Sequence, residues 1–215
     1  MASSAIRSLG RLNPTTTALF VCDMQEAFKK SIQYFPEIVT NTVRMVEAAK
    51  LLQMRIVVTE QYPKGLGHTV DELKSAMPES TTYFDKTLFS MCIPTVMDSS
   101  CYSSTASSEK LTDVVLTGIE SHVCVLQTTL DLIEKDINVH IAADCVSSRS
   151  LIDRKFGLDR LMQTGAFIST SESLILQLCK DAKHPAFRSL QKLILNPTLD
   201  TALLSNIEDM RVKKD

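Results

Sequence analysis

"DVVLTGIESHVCVLQTTLDLI", residues 113–133, joins two patterns of different period, with Cys124 where they meet. The first part, "DVVLTGI", is a short apolar run without helical spacing, as expected of a strand buried on both faces. The second, "VLQTTLDLI", spaces its apolar residues as a helix does. A strand that hands over directly to a helix is the first half of a parallel β-α-β unit. Cys124 stands four to five residues past the strand, at the start of the helix. A helix N-terminus favours a thiolate and offers backbone N–H groups that lack partners. Those two effects suit a nucleophile beside an oxyanion site. Cysteine is also among the most commonly buried residue types, so position alone favours an inert, packed thiol.

The same alternation runs through the chain. "TALFVCD" (17–23), "RIVVTEQ" (55–61), "TTYFDK" (81–86), "INVHIAADCV" (137–146) and "AFISTSE" (166–172) read as further strands. Between them, "IVTNTVRMVEAAKLL" places Ile38, Val43, Met45, Val46, Ala49 and Leu52 near one helical stripe. "TVDELKSAM" reads as a short helix capped by Thr69, with Glu72 completing a capping box. "SLIDRKFGLDRLMQTG" reads as a helix ending at Gly165, and "SESLILQLCKDA" as a final core helix. Strands alternating with amphipathic helices predict a parallel sheet covered on both faces. In such sheets the ligand crevice lies beyond the carboxyl ends of the strands. The residues to watch are therefore Asp23, Glu60, Lys86, Glu120 and Asp144.

Composition bounds the function. The 215 residues fit one large domain with a sizeable core. Net charge is −2 and the pI is about 6.1, unlike the basic footprint of a nucleic-acid binder. No window approaches the roughly 18 uninterrupted apolar residues of a membrane span. The six cysteines form no CxxC pair and no zinc-like grouping with the four histidines. They read as mostly free thiols in a reducing compartment. The first residues lack the apolar core of a secretory signal but carry Arg and Ser without acids. The expectation is a cytoplasmic protein, with a nuclear or mitochondrial address as the alternatives. "MDSSCYSSTASSEK" (97–110) reads as an exposed loop. The stretch from His184 onward is a tail with apolar anchors, packed on the domain or on a partner subunit. It makes a homo-oligomer the expected state.

Three residues could converge. Asp23 ends an apolar strand, where a carboxylate must be paired or face the crevice. Its alternatives are a helix N-cap or a buried salt bridge. Lys86 alone would be an ordinary surface lysine. A thiolate needs a base and a positive neighbour, and an aspartate and a lysine at adjacent strand ends could supply both.

These residues carry a resemblance. "ALFVCDMQEAF", "FDKTLFS" and "LTGIESHVCVLQT" resemble, in that order, the three active-site blocks of the isochorismatase-like cysteine hydrolases. The similarity covers about Asn13 to Lys192. "VTEQYPKGLGHTV" and "KTLFSM" further resemble the eukaryotic isochorismatase-domain proteins. The resemblance implies a doubly wound, six-stranded α/β/α fold of strand order 3-2-1-4-5-6. It sets residues 13–192 as the hydrolase domain, 1–12 as an N-terminal extension and 193–215 as a C-terminal tail. It implies an Asp23–Lys86–Cys124 triad, an oxyanion hole from the backbone N–H groups of Glu120 and Cys124, and a cis peptide at Ile119–Glu120. Phe28 matches an aromatic that lines the pocket in relatives, although it could equally be helix core.

The family name suggests vinyl-ether cleavage, but isochorismatase itself lacks the nucleophilic cysteine. With Cys124 present, the resemblance implies a hydrolase of a small amide or related carbonyl compound, acting on non-peptide C–N bonds. Metal-using relatives carry an aspartate and two histidines near the second strand's loop. That loop here, "EQYPKGLGHTV", has only His68, so neither metal nor other cofactor is expected. His122, two positions before Cys124, should point about 200° away on a helix. Gln25 should be a structural hydrogen-bonder, and Ser148 and Ser150 caps or loop polars. The alternatives are a non-catalytic binding or scaffold protein that retains this fold, and a nuclease. The absence of a basic, aromatic-interleaved stretch argues against the nuclease.

Overall fold

The structure, a computed structural model, describes residues 9–98 and 109–203. Its elements in chain order are β1 (Thr17–Cys22), α1 (Phe35–Leu51), β2 (Arg55–Gln61), α2 (Pro63–Leu66), α3 (Asp71–Ala76) and β3 (Tyr83–Lys86). They continue with α4 (Pro94–Met97), β4 (Asp113–Ile119), α5 (Cys124–Ile133), β5 (Asn138–Ser147), α6 (Leu151–Gln163), β6 (Phe167–Ser169), α7 (Ser171–Cys179) and α8 (Phe187–Ile194). A 3-10 turn, Glu26–Phe28, follows β1. The six strands form one sheet in the order β3-β2-β1-β4-β5-β6, with every pairing parallel. This is the doubly wound order that the resemblance implied.

Strand composition follows position in the sheet. β1 and β4, at the centre, are buried at every residue, which explains their unbroken apolar runs. β3 and β6, at the edges, are short and partly exposed. Alternation along a strand then divides the core. Leu19 and Val21 pack with α1, α3, α7 and α8 on one face, among them Ile38, Leu73, Leu174 and Leu190. Ala18, Phe20 and Cys22 pack with α4, α5 and α6 on the other, among them Val96, Val125 and Leu161. Burying each such Leu or Val contributes about 1.5–3 kcal/mol. Helix α1 turns Phe35, Ile38, Val39, Thr42, Met45, Val46 and Ala49 inward, the stripe its spacing predicts, with Val43 only partly buried.

Several local expectations are corrected. α3 begins at Asp71 with Val70 as its N-cap, and no side chain caps it. Thr69 is drawn away because its N–H and hydroxyl both donate to buried Glu60, at 2.6 and 2.8 Å. Glu60 therefore serves the loop after β2 and does not face the crevice. Asp144 lies inside β5, which runs on to Ser147. Its carboxylate accepts from the Ser171 N–H at 2.8 Å and hydroxyl at 2.6 Å, and so fixes the start of α7. Ser150 does cap α6, accepting from the Asp153 N–H, and Gly165 follows that helix at φ 93°.

Beyond α8 the described tail packs on the domain. Asn41 exchanges hydrogen bonds with Leu199, and the Arg154 guanidinium donates to both oxygens of Thr201. Most of the Ser-rich segment, 99–108, and the tail beyond residue 203 lie outside the described residues. Among the described residues no helix is long and apolar enough to cross a membrane.

Candidate active site

The carboxyl ends of β1, β3 and β4 bring the three anticipated residues to one place. The register aligns Cys22 of β1 with Thr59 of β2 and Gly118 of β4, and aligns Gln61 of β2 with Lys86 of β3. Asp23, the first residue past β1, takes φ 52°, a left-handed conformation that aspartate tolerates better than most residues. Gly118 sits at φ 108°, where a Cβ would lie 2.1 Å from the Cys22 carbonyl oxygen. Only glycine lets β4 pass so close to β1 here.

Asp23 and Lys86 form a buried ion pair. Lys86 Nζ lies 2.6 Å from Asp23 Oδ2, with the side chains 0% and 2% exposed respectively. Lys86 also donates to Gln61 Oε1 at 2.6 Å, to Leu88 O at 3.1 Å and to Phe89 O at 2.9 Å. All four neighbours are acceptors, so the amine has to carry its protons. Burial alone would pull the Lys86 pKa down, but Cys22, Asp23 and Cys124 outweigh it and raise the pKa above its ordinary value. The other Asp23 oxygen, Oδ1, accepts from the Thr59 hydroxyl at 2.8 Å.

Cys124 is the first residue of α5, so its N–H has no partner within that helix. The peptide between Ile119 and Glu120 is cis, as the resemblance implied. Cys22 Sγ, a carboxylate oxygen of Asp23 and Cys124 Sγ all lie within 4.8 Å of one another. Among the described residues this is the one cluster of three potential metal-ligating side chains. Its chemistry does not suit a cation, because the Lys86 ammonium already occupies the carboxylate. His68 is not part of the cluster; it turns to Glu60, with Nδ1 2.8 Å from Oε2.

A cleft of about 390 Å³ opens over these groups. Asp23, Ile119 and Cys124 line it together with the apolar side chains of Phe28, Leu66, Phe89 and Val123. Ser31, Gln61, Glu120 and Arg149 add polar groups, with Arg149 Nε paired to Glu120 Oε1 at 3.2 Å. Phe28, left open between pocket and core, lines the cleft from the 3-10 turn. His122 does not line it and contacts Ser148 Oγ at 3.0 Å. Gln25 is structural, as expected: its side chain bonds the backbone of Gln61 and Gly67, tying the loop after β2 to β1.

The sequence reading missed Cys22, Thr59, Gln61, Phe89 and Arg149. Thr59 and Gln61 flank Glu60, the residue singled out at that strand end. Strand alternation puts them on the opposite side from it, and only the register with β1 and β3 decides which side meets Asp23.

A sheet of this order, with an acid, a lysine and a thiol gathered at its strand ends, is the architecture that the resemblance implied: an isochorismatase-like hydrolase. A family model for the isochorismatase domain matches residues 17–173, and the chain belongs to that family. Isochorismatase domain-containing protein 2 of Xenopus laevis is 48% identical over 202 residues, covering 94% of this chain and 95% of its own. The Homo sapiens protein of the same name is 47% identical and covers 94% of each chain. Among solved structures, the MAR1 ribonuclease of Caenorhabditis elegans superposes with a TM-score of 0.84 at 52% identity, covering 90% of this chain and 96% of its own.

Proposed function

We propose that the protein is a metal-independent thiol hydrolase of a small amide or related carbonyl compound, with Asp23, Lys86 and Cys124 as its triad. One observation carries the reading: the Cys124 thiol and the Asp23 carboxylate share the foot of one cleft, and Lys86 holds that carboxylate. Asp23 accepts the Cys124 proton, and the thiolate attacks the carbonyl carbon. The N–H groups of Glu120 and Cys124 receive the oxyanion. The C–N bond then breaks, and the amine leaves with the proton held by Asp23. Water, deprotonated by Asp23, hydrolyses the acyl thioester and restores the thiol. Lys86 keeps Asp23 in place and supplies positive charge without a metal. Phe28 forms an apolar wall for the substrate.

A second reading comes from the C. elegans relative, whose name is that of a ribonuclease. RNA presents a negative charge at each phosphate and is held chiefly by cations. Arg149 is the basic residue that lines the cleft, Lys86 is buried behind Asp23, and both are paired with carboxylates. The amide reading therefore stands first.

The test is a panel of small amides, ureas, carbamoyl compounds and RNA, offered to the wild type and to Cys124→Ala. Turnover of a small carbonyl compound by the wild type alone supports the first reading. Cleavage of RNA that needs Cys124 would replace it with the second. Inertness of the folded wild type toward the whole panel would favour the scaffold alternative. The homo-oligomer is likewise a proposal, supported by the exposed Leu195 and Leu199 of the tail and tested by light scattering.

A further inference from the structure

Cys22 is a buried thiol that the proposed chemistry does not use. It lies one residue before Asp23, on the strand face that packs against α5, and is wholly buried. Its sulfur is nonetheless within 4.8 Å of Cys124 Sγ. The two thiols differ in access: Cys124 lines the cleft, whereas Cys22 lies beneath it and does not. They come from separate segments, so their proximity is a product of the fold.

We infer that Cys22 and Cys124 form a reversible disulfide when the cleft admits a peroxide, and that Cys22 is the resolving thiol of this modification site. The chemistry balances in two steps. Asp23 takes the Cys124 proton, the thiolate attacks one oxygen of hydrogen peroxide, the O–O bond breaks to give a sulfenic acid, and the departing hydroxide leaves as water with the proton held by Asp23. The Cys22 sulfur then attacks the sulfenic sulfur, the S–O bond breaks, and the hydroxide leaves as water with the Cys22 proton. Peroxide is reduced by two electrons and the thiol pair is oxidised by two. A dithiol reductant reverses the change by thiol–disulfide exchange. Closing the bond brings the sulfurs from within 4.8 Å of each other to about 2.0 Å. Direct contact with Asp23, whose Oδ2 lies 3.5 Å from Cys22 Sγ, sets the Cys22 thiol beside the group proposed as the base.

The consequence is protection. A sulfenic acid without a resolving partner proceeds to sulfinic and sulfonic acids, which dithiols do not reduce. Loss of activity on oxidation rests on the proposed role of Cys124 as nucleophile. Formation of the disulfide does not, so the two can fail separately.

The test is peptide mapping of the full-length protein treated with a small excess of hydrogen peroxide. Trypsin places Cys22 and Cys124 on different peptides, residues 12–29 and 111–135. The expected result is a non-reducing cross-link between these two peptides, a loss of two hydrogens in intact mass, and full reversal by dithiothreitol. In Cys22→Ala the same treatment is expected to add two or three oxygens to Cys124, irreversibly. Wild-type protein carrying a sulfinic or sulfonic Cys124 with Cys22 still free would overturn the proposal, as would a cross-link from Cys124 to any other cysteine. The wild-type map alone decides the matter if Cys22→Ala does not fold.

Discussion

Lys86 Nζ lies 2.6 Å from Asp23 Oδ2, and water reaches neither side chain to any extent. The pair joins the ends of β1 and β3, the innermost and outermost strands of one half of the sheet. Breaking a buried pair by removing one partner costs about 3–5 kcal/mol, because the other charge is left uncompensated. Lys86→Met is therefore expected to abolish turnover and to lower stability by about that amount in urea unfolding. Adding Asp23→Asn to it should restore part of the stability while leaving the protein inactive. A stability loss under about 1 kcal/mol, the worth of an exposed pair, would contradict the buried-pair account.

Asp23 and Cys124 are expected to act as a unit. Asn suits the left-handed backbone at position 23, so Asp23→Asn changes the base with little backbone strain. Each of Asp23→Asn and Cys124→Ala should remove most of the turnover, and the double variant should be little worse than either. The check is turnover of whichever substrate the panel yields, with circular dichroism as the folding control. Modest losses that add would mean that the two residues work independently.

Gly118 of β4 leaves no room for a side chain against β1. A Cβ there would meet the Cys22 carbonyl oxygen at 2.1 Å, a backbone atom that cannot turn aside as a side chain could. Gly118→Ala is expected to cost about 3 kcal/mol or more, placing it in the tail of point-mutant effects. Thermal unfolding close to that of the wild type would show that the strands separate more easily than their packing indicates.

Much of this was legible beforehand. The unbroken apolar runs of β1 and β4 marked strands buried on both faces, and Asp23, Lys86 and Cys124 stood near strand ends where the crevice had to be. Asp144 misled because β5 runs on past it to Ser147, and Glu60 because a carboxylate near a strand end has two uses, facing a crevice or anchoring a neighbouring loop. Which one holds depends on a single residue of register, and a lone strand does not reveal its register. Cys22 escaped notice because its role depends on β1 and α5 meeting in space.

Glu60 also gives a pH prediction. Burial pushes its pKa up, yet the hydrogen bonds from the Thr69 N–H, His68 and the Thr69 hydroxyl outweigh that and hold it below its ordinary value of 4.5. A group depressed in the folded state stabilises the fold above its unfolded pKa and loses that contribution as pH falls through the folded value. Glu60→Gln should thus be less stable than the wild type near neutrality, and the gap should narrow between about pH 5 and pH 3. A gap that stays constant on acidification would remove Glu60 as the cause.

The central claim is that Cys124 is the nucleophile, and its reactivity can be measured without knowing the substrate. Cys124 stands at the first turn of α5 and lines the cleft, where a small reagent can reach its sulfur. Burial holds Cys22 and Cys145 well above the ordinary thiol range and pushes Cys92 up to about 11. Sub-stoichiometric iodoacetamide at neutral pH, followed by peptide mapping, should label Cys124 before any of the other five cysteines. Labelling of Cys101 or Cys92 first, with Cys124 unmodified, would contradict the account.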